Sequence, residues 1–169
     1  LGADCIKLGM LHKVEVIEAV SAALEKYAND VPVVADTVML AKGGAKLLAD
    51  DAVECFKQRI LPISTLITPN IPEAEVLSCQ NISNVQSAAK AGQHLLTLGP
   101  RAVLVKGGHL DSDEIVDQLF LRDQKFIFKE ERINSLNTHG TGCALASACA
   151  TGIAQGLELA AAVVRAQHY

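Results

Sequence analysis

The stretch Asn137-Thr138-His139-Gly140-Thr141-Gly142-Cys143 is followed directly by the alanine-rich run 144–150. Alanine-rich sequence favours helix, so this stretch predicts a glycine-rich loop that leads into a helix N-terminus. Such a junction gathers N–H donors and the positive end of the helix dipole, which suits a phosphate or phosphoryl group. Cys143 would lie in the first helical turn, where the same field stabilises a thiolate. Taken alone, a glycine turn into a core helix with a small buried cysteine is the commoner explanation.

Short apolar segments alternate with amphipathic segments through the rest of the chain. Strands are predicted at 5–8, 32–35, 65–68 and 102–105, and a hairpin at 115–121 and 125–128. Helices are predicted at 13–28, from 50 onward, and at 72–77, 85–98, 143–155 and 158–166. This alternation predicts an α/β fold, a right-handed, doubly wound and mostly parallel sheet flanked by helices on both faces.

The composition bounds the class of function. The 169 residues are 50% hydrophobic, 20% charged and 4% aromatic, which favours helices packed on a parallel sheet over a β-sandwich. A net charge of −4 without a long basic run argues against nucleic-acid and membrane-surface partners. The five cysteines form no C-x-x-C pair, so we expect reduced thiols and a cytoplasmic location. The sequence shows no signal peptide and no apolar run of membrane-spanning length.

Polar residues stand at the ends of the predicted strands, the edge where ligands bind in sheets of this kind. Asp36 follows an apolar strand and suits Mg²⁺ as a ligand, although an Asx-type turn explains it equally well. Asn70 and Glu73 have the spacing of a helix capping box, which would also hold the glutamate beside a hydrated metal. Lys106 ends an apolar strand and could reach nucleotide phosphates, but a strand-end lysine is more often simply solvated. Met10 stands just after another predicted strand, where packing is the usual role of methionine.

Four motifs in order carry a family resemblance. Asp36-Thr37-Val38-Met39 with Ala41-Lys42 resembles a D-P-V-M-x-A-K segment, and Thr68-Pro69-Asn70-Ile71-Pro72-Glu73-Ala74-Glu75 resembles T-P-N-x-P-E-A-E. Val105-Lys106-Gly107-Gly108-His109 and the 137–143 loop complete the set. Together they resemble the hydroxymethylpyrimidine/phosphomethylpyrimidine kinases of thiamine biosynthesis, in the ribokinase-like superfamily.

The resemblance implies a kinase that uses ATP and Mg²⁺ to phosphorylate a pyrimidine alcohol and then the resulting monophosphate. It gives Cys143 the place of the general base, and a homodimer stays open. The other roles that it implies are an anion hole at Gly140, Thr141 and Gly142, metal contacts at Asp36 and Glu73, nucleotide contacts at Asn70, Lys106 and Thr138, and pyrimidine contacts at Met10 and Val38.

Two departures from the family pattern matter. Thr37 stands where the family usually has proline, and we expect that change to be tolerated. The family's N-terminal glycine-rich segment has no counterpart, so we expect residues 1–169 to be the C-terminal two-thirds of one ribokinase-like domain, truncated at both ends and inactive alone. A pyridoxal kinase of the same fold and a non-catalytic nucleotide-binding fragment are the alternatives.

Overall fold

The structure, a computed structural model, describes residues 2–39, 48–111, 113–132 and 140–168. Every strand and helix predicted from the sequence is present, and each begins within two residues of its predicted start. The strands are β1 (Ile6–Leu8), β2 (Val33–Ala35), β3 (Leu66–Ile67), β4 (Ala102–Val105), β5 (Glu114–Leu121) and β6 (Lys125–Glu131). The helices are α1 (Val14–Tyr27), α2 (Asp50–Arg59), α3 (Ile71–Ser78), α4 (Val85–Thr97), α5 (Thr141–Ala154) and α6 (Leu159–Gln167), with a 3₁₀ turn at Leu61–Ile63.

The strands form one mixed sheet in the order β1-β2-β3-β4-β5-β6. The first four strands are parallel, and β5 and β6 add an antiparallel hairpin at one end. The prediction of a mostly parallel α/β sheet is therefore confirmed. Over the described residues the strand order never reverses, so the double winding expected from the alternation is not seen there. Alternation predicts parallel pairing but not the side on which each new strand adds.

The two faces of the sheet bury different side chains, because successive residues of a strand point to opposite faces. Val33 and Ala35 of β2 pack in a core with α1, α2, α3 and α4, whereas Val34 packs with α5 and α6. The connections between successive parallel strands are right-handed crossovers. When each new strand is added on the same side of the previous one, the connecting helices all lie on one face of the sheet. The second face is thereby left for α5, which packs against β1 and β2. Helices on both faces were predicted, and this is confirmed.

One close contact joins α4 to the antiparallel part of the sheet. Gly92 is buried in α4, and a Cβ atom there would overlap the ring of Phe120, which is buried on β5. The absence of a side chain at residue 92 therefore lets the aromatic ring lie against the helix backbone. This contact helps to place β5 beside β4.

Gly92→Ala tests this packing. Alanine gains about 1 kcal/mol in helix propensity. Overpacking the Phe120 ring costs more, so we expect the free energy of unfolding to fall by about 1–3 kcal/mol. Chemical denaturation of the full-length protein measures the change. Gln93→Ala, at an exposed position of the same helix, should stay within about 0.5 kcal/mol of wild type.

Phe120→Leu provides the matched background, because it removes the overlapping ring atoms. In that background Gly92→Ala should cost much less than in wild type. Equal costs in the two backgrounds, or a stabilised Gly92→Ala protein, would show that the ring does not exclude a side chain at residue 92.

Candidate active site

The carboxyl ends of β1 to β4 meet at one edge of the sheet, because these strands are parallel. Asp36 directly follows β2, Lys106 directly follows β4, and Asn70 stands three residues after β3. An isolated parallel bridge joins Asn70 to Lys106, and the Lys106 N–H donates to the Pro69 carbonyl at 2.9 Å. The structure thus brings together the polar residues that the sequence placed at strand ends.

Asp36 lies at the centre of this edge, and its side chain is only 2% exposed. Its Oδ2 is 3.4 Å from Lys7 Nζ, and its Oδ1 accepts from Thr68 Oγ1 at 3.4 Å and lies 3.9 Å from Lys106 Nζ. The Asp36 N–H donates to the Leu8 carbonyl at 3.0 Å, which extends the β1–β2 ladder. A buried carboxylate needs such partners, because an uncompensated charge is very costly away from water. An Asx-type turn alone therefore does not account for Asp36.

Asn70 and Glu73 form the capping box that their spacing predicted. Asn70 Oδ1 accepts from the Glu73 N–H, and Glu73 Oε2 accepts from the Asn70 N–H, both at 2.9 Å. The same Oε2 accepts from Thr37 Oγ1 at 2.9 Å. Burial raises the pKa of the Glu73 carboxyl, while the Asn70 N–H, the Lys106 charge and the Thr37 hydroxyl lower it. The cap thus holds a buried carboxyl on the side of the site next to Asp36.

Lys106 extends over the N-terminus of α5. Its Nζ lies 3.1 Å from the point where a Cβ atom of residue 142 would stand, so only glycine leaves the ammonium in this place without displacing it. The backbone beyond Lys106 is also fixed, because the Gly107 N–H donates to Asp117 Oδ1 at 2.8 Å. Asp117 Oδ2 in turn accepts from Gln167 Nε2 at 3.2 Å. These contacts tie the end of β4 to β5 and to α6.

The helix α5 begins as the opening stretch predicted. Gly140 is its N-cap with a φ of +85°, a left-handed conformation that glycine adopts at no cost, and the Ala144 N–H donates to its carbonyl at 2.9 Å. The first N–H groups of a helix have no acceptor within the helix. At α5 they belong to residues that stand beside Lys106 and Asp36. A helix N-terminus beside a lysine is a type of place where proteins often bind anions.

Cys143 lies in the first turn of α5 and is exposed. Hydrogen bonding to Asp36, burial and the charge of the same carboxylate raise the pKa of the thiol. Lys7 and Lys106 act in the opposite direction. The sequence led us to expect a lowered pKa from the helix N-terminus. The structure gives a raised pKa, because the carboxylate of Asp36, distant in sequence, stabilises the protonated thiol and disfavours the thiolate.

The two residues expected beside a pyrimidine follow neighbouring strands at the same edge. Met10 stands two residues after β1 and is 52% exposed, and Val38 stands three residues after β2 and is half-buried. The Val38 N–H donates to the Asp36 backbone carbonyl at 2.9 Å, which places Val38 beside the Asp36 cluster. Thr138 lies outside the described residues, as do the motif positions 41–42, 137 and 139.

The structure adds residues that the sequence analysis did not single out: Lys7, Thr68 and Asp117, with Thr37 as a donor to Glu73. Lys7 did carry a signal, because it is a charged residue between two apolar residues of a buried-type strand. Burial raises the pKa of Asp117, and hydrogen bonds from Gly107 and Gln167 lower it. Nothing in the local sequence of β5 indicates that Asp117 would hold the loop after β4.

Asp36 and Glu73 are suited to hold a cation. Mg²⁺ prefers oxygen ligands, keeps several waters and is usually bound through one or two carboxylates and substrate phosphates. The part of the chain that the structure describes contains no cluster of three or more His, Cys, Asp or Glu residues able to hold a metal. A pair of buried carboxyl groups thus fits a hydrated cation better than a cage of protein ligands.

Among the described residues, none of the helices has the length and apolar character of a membrane span.

The whole chain, residues 1–169, matches the family model described as phosphomethylpyrimidine kinase. A thiamine biosynthesis bifunctional protein of Geobacter sulfurreducens is 49% identical over 166 residues, which are 98% of this chain and 34% of that protein. A hydroxymethylpyrimidine/phosphomethylpyrimidine kinase of Escherichia coli is 45% identical over 148 residues, 87% of this chain and 55% of that protein. The chain therefore spans between a third and just over half of the length of these two relatives.

Two solved structures show the same fold. A phosphomethylpyrimidine kinase of Clostridium difficile matches with a TM-score of 0.86 at 37% identity, over 98% of this chain and 67% of that one. The ADP complex of a Bacillus subtilis pyridoxal kinase matches with a TM-score of 0.90 at 30% identity, over 100% of this chain and 64% of that one. These matches confirm the ribokinase-like fold.

The contact between Cys143 and Asp36 can be tested without any substrate. Asp36→Asn removes the carboxylate that stabilises the protonated thiol and repels the thiolate. The pKa of Cys143 should therefore fall. Only the thiolate reacts with iodoacetamide, so alkylation of Cys143 should become faster at neutral pH and its midpoint should move to lower pH. Mass spectrometry of the Cys143 peptide measures the rate.

Cys79, an exposed cysteine at the end of α3, serves as the internal reference in the same samples. Its alkylation rate should not respond to Asp36→Asn. An unchanged pH midpoint for Cys143 would contradict the hydrogen bond to Asp36.

Proposed function

Because the chain belongs to the phosphomethylpyrimidine kinase family, we propose that it transfers the γ-phosphoryl group of ATP to 4-amino-5-hydroxymethyl-2-methylpyrimidine and then to the resulting monophosphate, in thiamine biosynthesis. The observation that carries the proposal is the meeting of Asp36, Lys106 and the N-terminus of α5 at one edge of the sheet. Phosphoryl transfer asks little covalent chemistry of a protein and depends on positioning and charge. This edge supplies both.

The phosphoryl group that is being transferred would lie at the N-terminus of α5. The N–H groups of Gly140, Thr141, Gly142 and Cys143 are donors that need no reorganisation when negative charge moves during the reaction. Lys106 adds a full positive charge directly above Gly142. Hydrogen bonds between such charged groups and phosphate oxygens are short and strong.

ATP would lie along the ends of β3 and β4, with Lys106, Asn70 and Thr138 as its contacts. The ADP complex of the similar pyridoxal kinase supports a nucleotide in this fold. Asp36 and Glu73 would hold Mg²⁺, which would neutralise negative charge on the phosphates. The Thr37 hydroxyl and the Asn70 N–H fix the Glu73 carboxyl for this role, since both donate to its Oε2.

Cys143 would accept the proton of the substrate hydroxymethyl group. A base must lie within hydrogen-bond reach of that proton, and an exposed thiol in the first turn of α5 stands beside the proposed phosphoryl position. Only the thiolate can take that proton, whereas the raised pKa of Cys143 favours the protonated thiol, so the thiol has to lose its proton before it can act as the base. Lys7 and Lys106 act against this effect of Asp36 and lower the pKa of Cys143, without reversing the net rise.

Met10 and Val38 would line the pyrimidine pocket, since both follow strands at the same edge. A flexible thioether packs well against an aromatic ring.

Residues 1–169 would form the C-terminal part of one kinase domain. A cytoplasmic location is supported by the five free thiols, and a homodimer stays a prediction from the sequence.

Pyridoxal kinase is the second candidate, favoured by the TM-score of 0.90 to the Bacillus subtilis enzyme. Assays of the full-length protein with ATP and each acceptor decide between the two. We expect kcat/KM for the hydroxymethylpyrimidine to exceed that for pyridoxal by at least about tenfold, which corresponds to about 1.4 kcal/mol of transition-state binding. A preference for pyridoxal would overturn the pyrimidine assignment, and phosphorylation of neither acceptor would overturn the kinase assignment.

Glu73→Gln tests the metal end of the site. Glutamine also serves at the N3 position of a capping box, so the stability of the protein should change little. Loss of the carboxylate should raise the Mg²⁺ concentration needed for half-maximal activity severalfold. A magnesium titration of the full-length enzyme measures this concentration.

Glu75→Gln is the matched control, because it makes the same change of charge two residues further along α3, where Glu75 Oε1 accepts from the Ile82 N–H. Its titration should overlay the wild-type curve. If the Glu73→Gln titration also overlays that curve, Glu73 only caps the helix.

A further inference from the structure

Lys7 is a second cation of the site, and the proposed function gives it only an effect on the pKa of Cys143. Its Nζ lies 3.4 Å from Asp36 Oδ2 and 3.4 Å from the point where a Cβ atom of Gly9 would stand. The side chain is 22% exposed, so a ligand can reach the ammonium. Lys7 therefore lies between Asp36 and the segment 8–11, which carries Met10 on the proposed pyrimidine side.

The two lysines approach Asp36 from strands that lie on opposite sides of β2 in the sheet. Lys106 comes from β4 and lies above Gly142, on the side proposed for the nucleotide. Lys7 comes from β1 and contacts the other carboxylate oxygen. Its strand neighbours Ile6 and Leu8 pack with the α1–α4 core, so Lys7 points to the opposite face, where α5 packs against β1. It thus stands near the first turn of α5, and its charge acts on Cys143.

The two steps of the proposed reaction make different demands on this place. In the first step the acceptor is a neutral alcohol, which needs a base for its proton. In the second step the acceptor is a phosphate monoester, which is mostly a dianion at pH 7 because its second pKa is about 6. An oxygen of that phosphate attacks the γ-phosphorus, the bond from γ-phosphorus to the β–γ bridging oxygen breaks, and ADP leaves. This step needs no base, but it brings two anions together.

We propose that Lys7 binds the phosphate of the monophosphate acceptor and so enables the second phosphorylation specifically. The inference rests on the proposed function. Lys106 interacts with the charges of both Asp36 and Glu73, whereas Lys7 contacts Asp36 and is the more exposed of the two ammonium groups, at 22% against 16%. Of the two lysines, Lys7 is on the acceptor side, since it lies beside Gly9 and next to the residues around Met10. An ammonium there offsets the repulsion between the acceptor phosphate and the γ-phosphoryl group.

The test compares the two steps in the full-length enzyme, with the alcohol and the monophosphate supplied separately at saturating Mg-ATP. Lys7→Met should lower kcat/KM for the monophosphate at least about tenfold more than kcat/KM for the alcohol. Lys7→Arg, which keeps the charge, should restore most of this ratio. Lys106→Met should lower both steps by similar factors, because both use the same nucleotide, and the exposed Lys90→Met should change neither.

The ratio of the two steps separates this role from a structural one. If Lys7 is only a counter-ion of Asp36, Lys7→Met lowers both steps equally and the proposal is overturned. Lys7→Gln, which can still donate to Asp36, gives the same comparison if Lys7→Met lowers stability. A wild-type enzyme that phosphorylates the alcohol but not the monophosphate overturns the role of Lys7 and leaves the kinase assignment standing. A wild-type enzyme that phosphorylates neither overturns both.

Discussion

The buried carboxylate of Asp36 is the constraint on which the site depends. At 2% exposure its charge must be offset within the protein, because burying an unpaired charge costs several kcal/mol or more. The partners come from three separate parts of the sheet: Lys7 from β1, Thr68 after β3 and Lys106 after β4. The contacts of this one carboxylate therefore join the carboxyl ends of the strands and place two ammonium groups at a single edge of the sheet.

The topology supplies the other half of the site. Because the parallel strands add in one direction, α1 to α4 occupy one face and the other face is left for α5 and α6. The N-terminus of α5 reaches the Asp36 edge from that second face. Glycine at residue 142 lets Lys106 lie against the helix, and glycine at residue 140 provides the left-handed N-cap. Anion-binding amides and cations therefore meet although they are distant in sequence.

Much of this was predictable from the sequence, since the signals are local. Alternating apolar and amphipathic segments predicted the start of each described strand and α-helix to within two residues, and the spacing of Asn70 and Glu73 predicted the capping box. Other features depend on contacts between distant residues and escaped prediction. Local patterns do not show on which side each strand is added, nor that Asp36, 107 residues before Cys143 in the sequence, raises the pKa of its thiol. A role for Lys7 could be inferred only from the structure, in which the sheet places its side chain beside Asp36.

The central claim is that the first turn of α5 is the place where the phosphoryl group is transferred, with Cys143 as the base. Replacing Cys143 in the full-length enzyme tests it most directly, with turnover of the alcohol as the measurement. Cys143→Ala keeps the backbone amides, so ATP affinity should stay within a few-fold while kcat falls by about 10²–10⁴, the usual contribution of a positioned base. Cys143→Asp should recover part of that loss. Near-normal kcat in Cys143→Ala, with Cys143→Asp the more damaging change, would contradict the account.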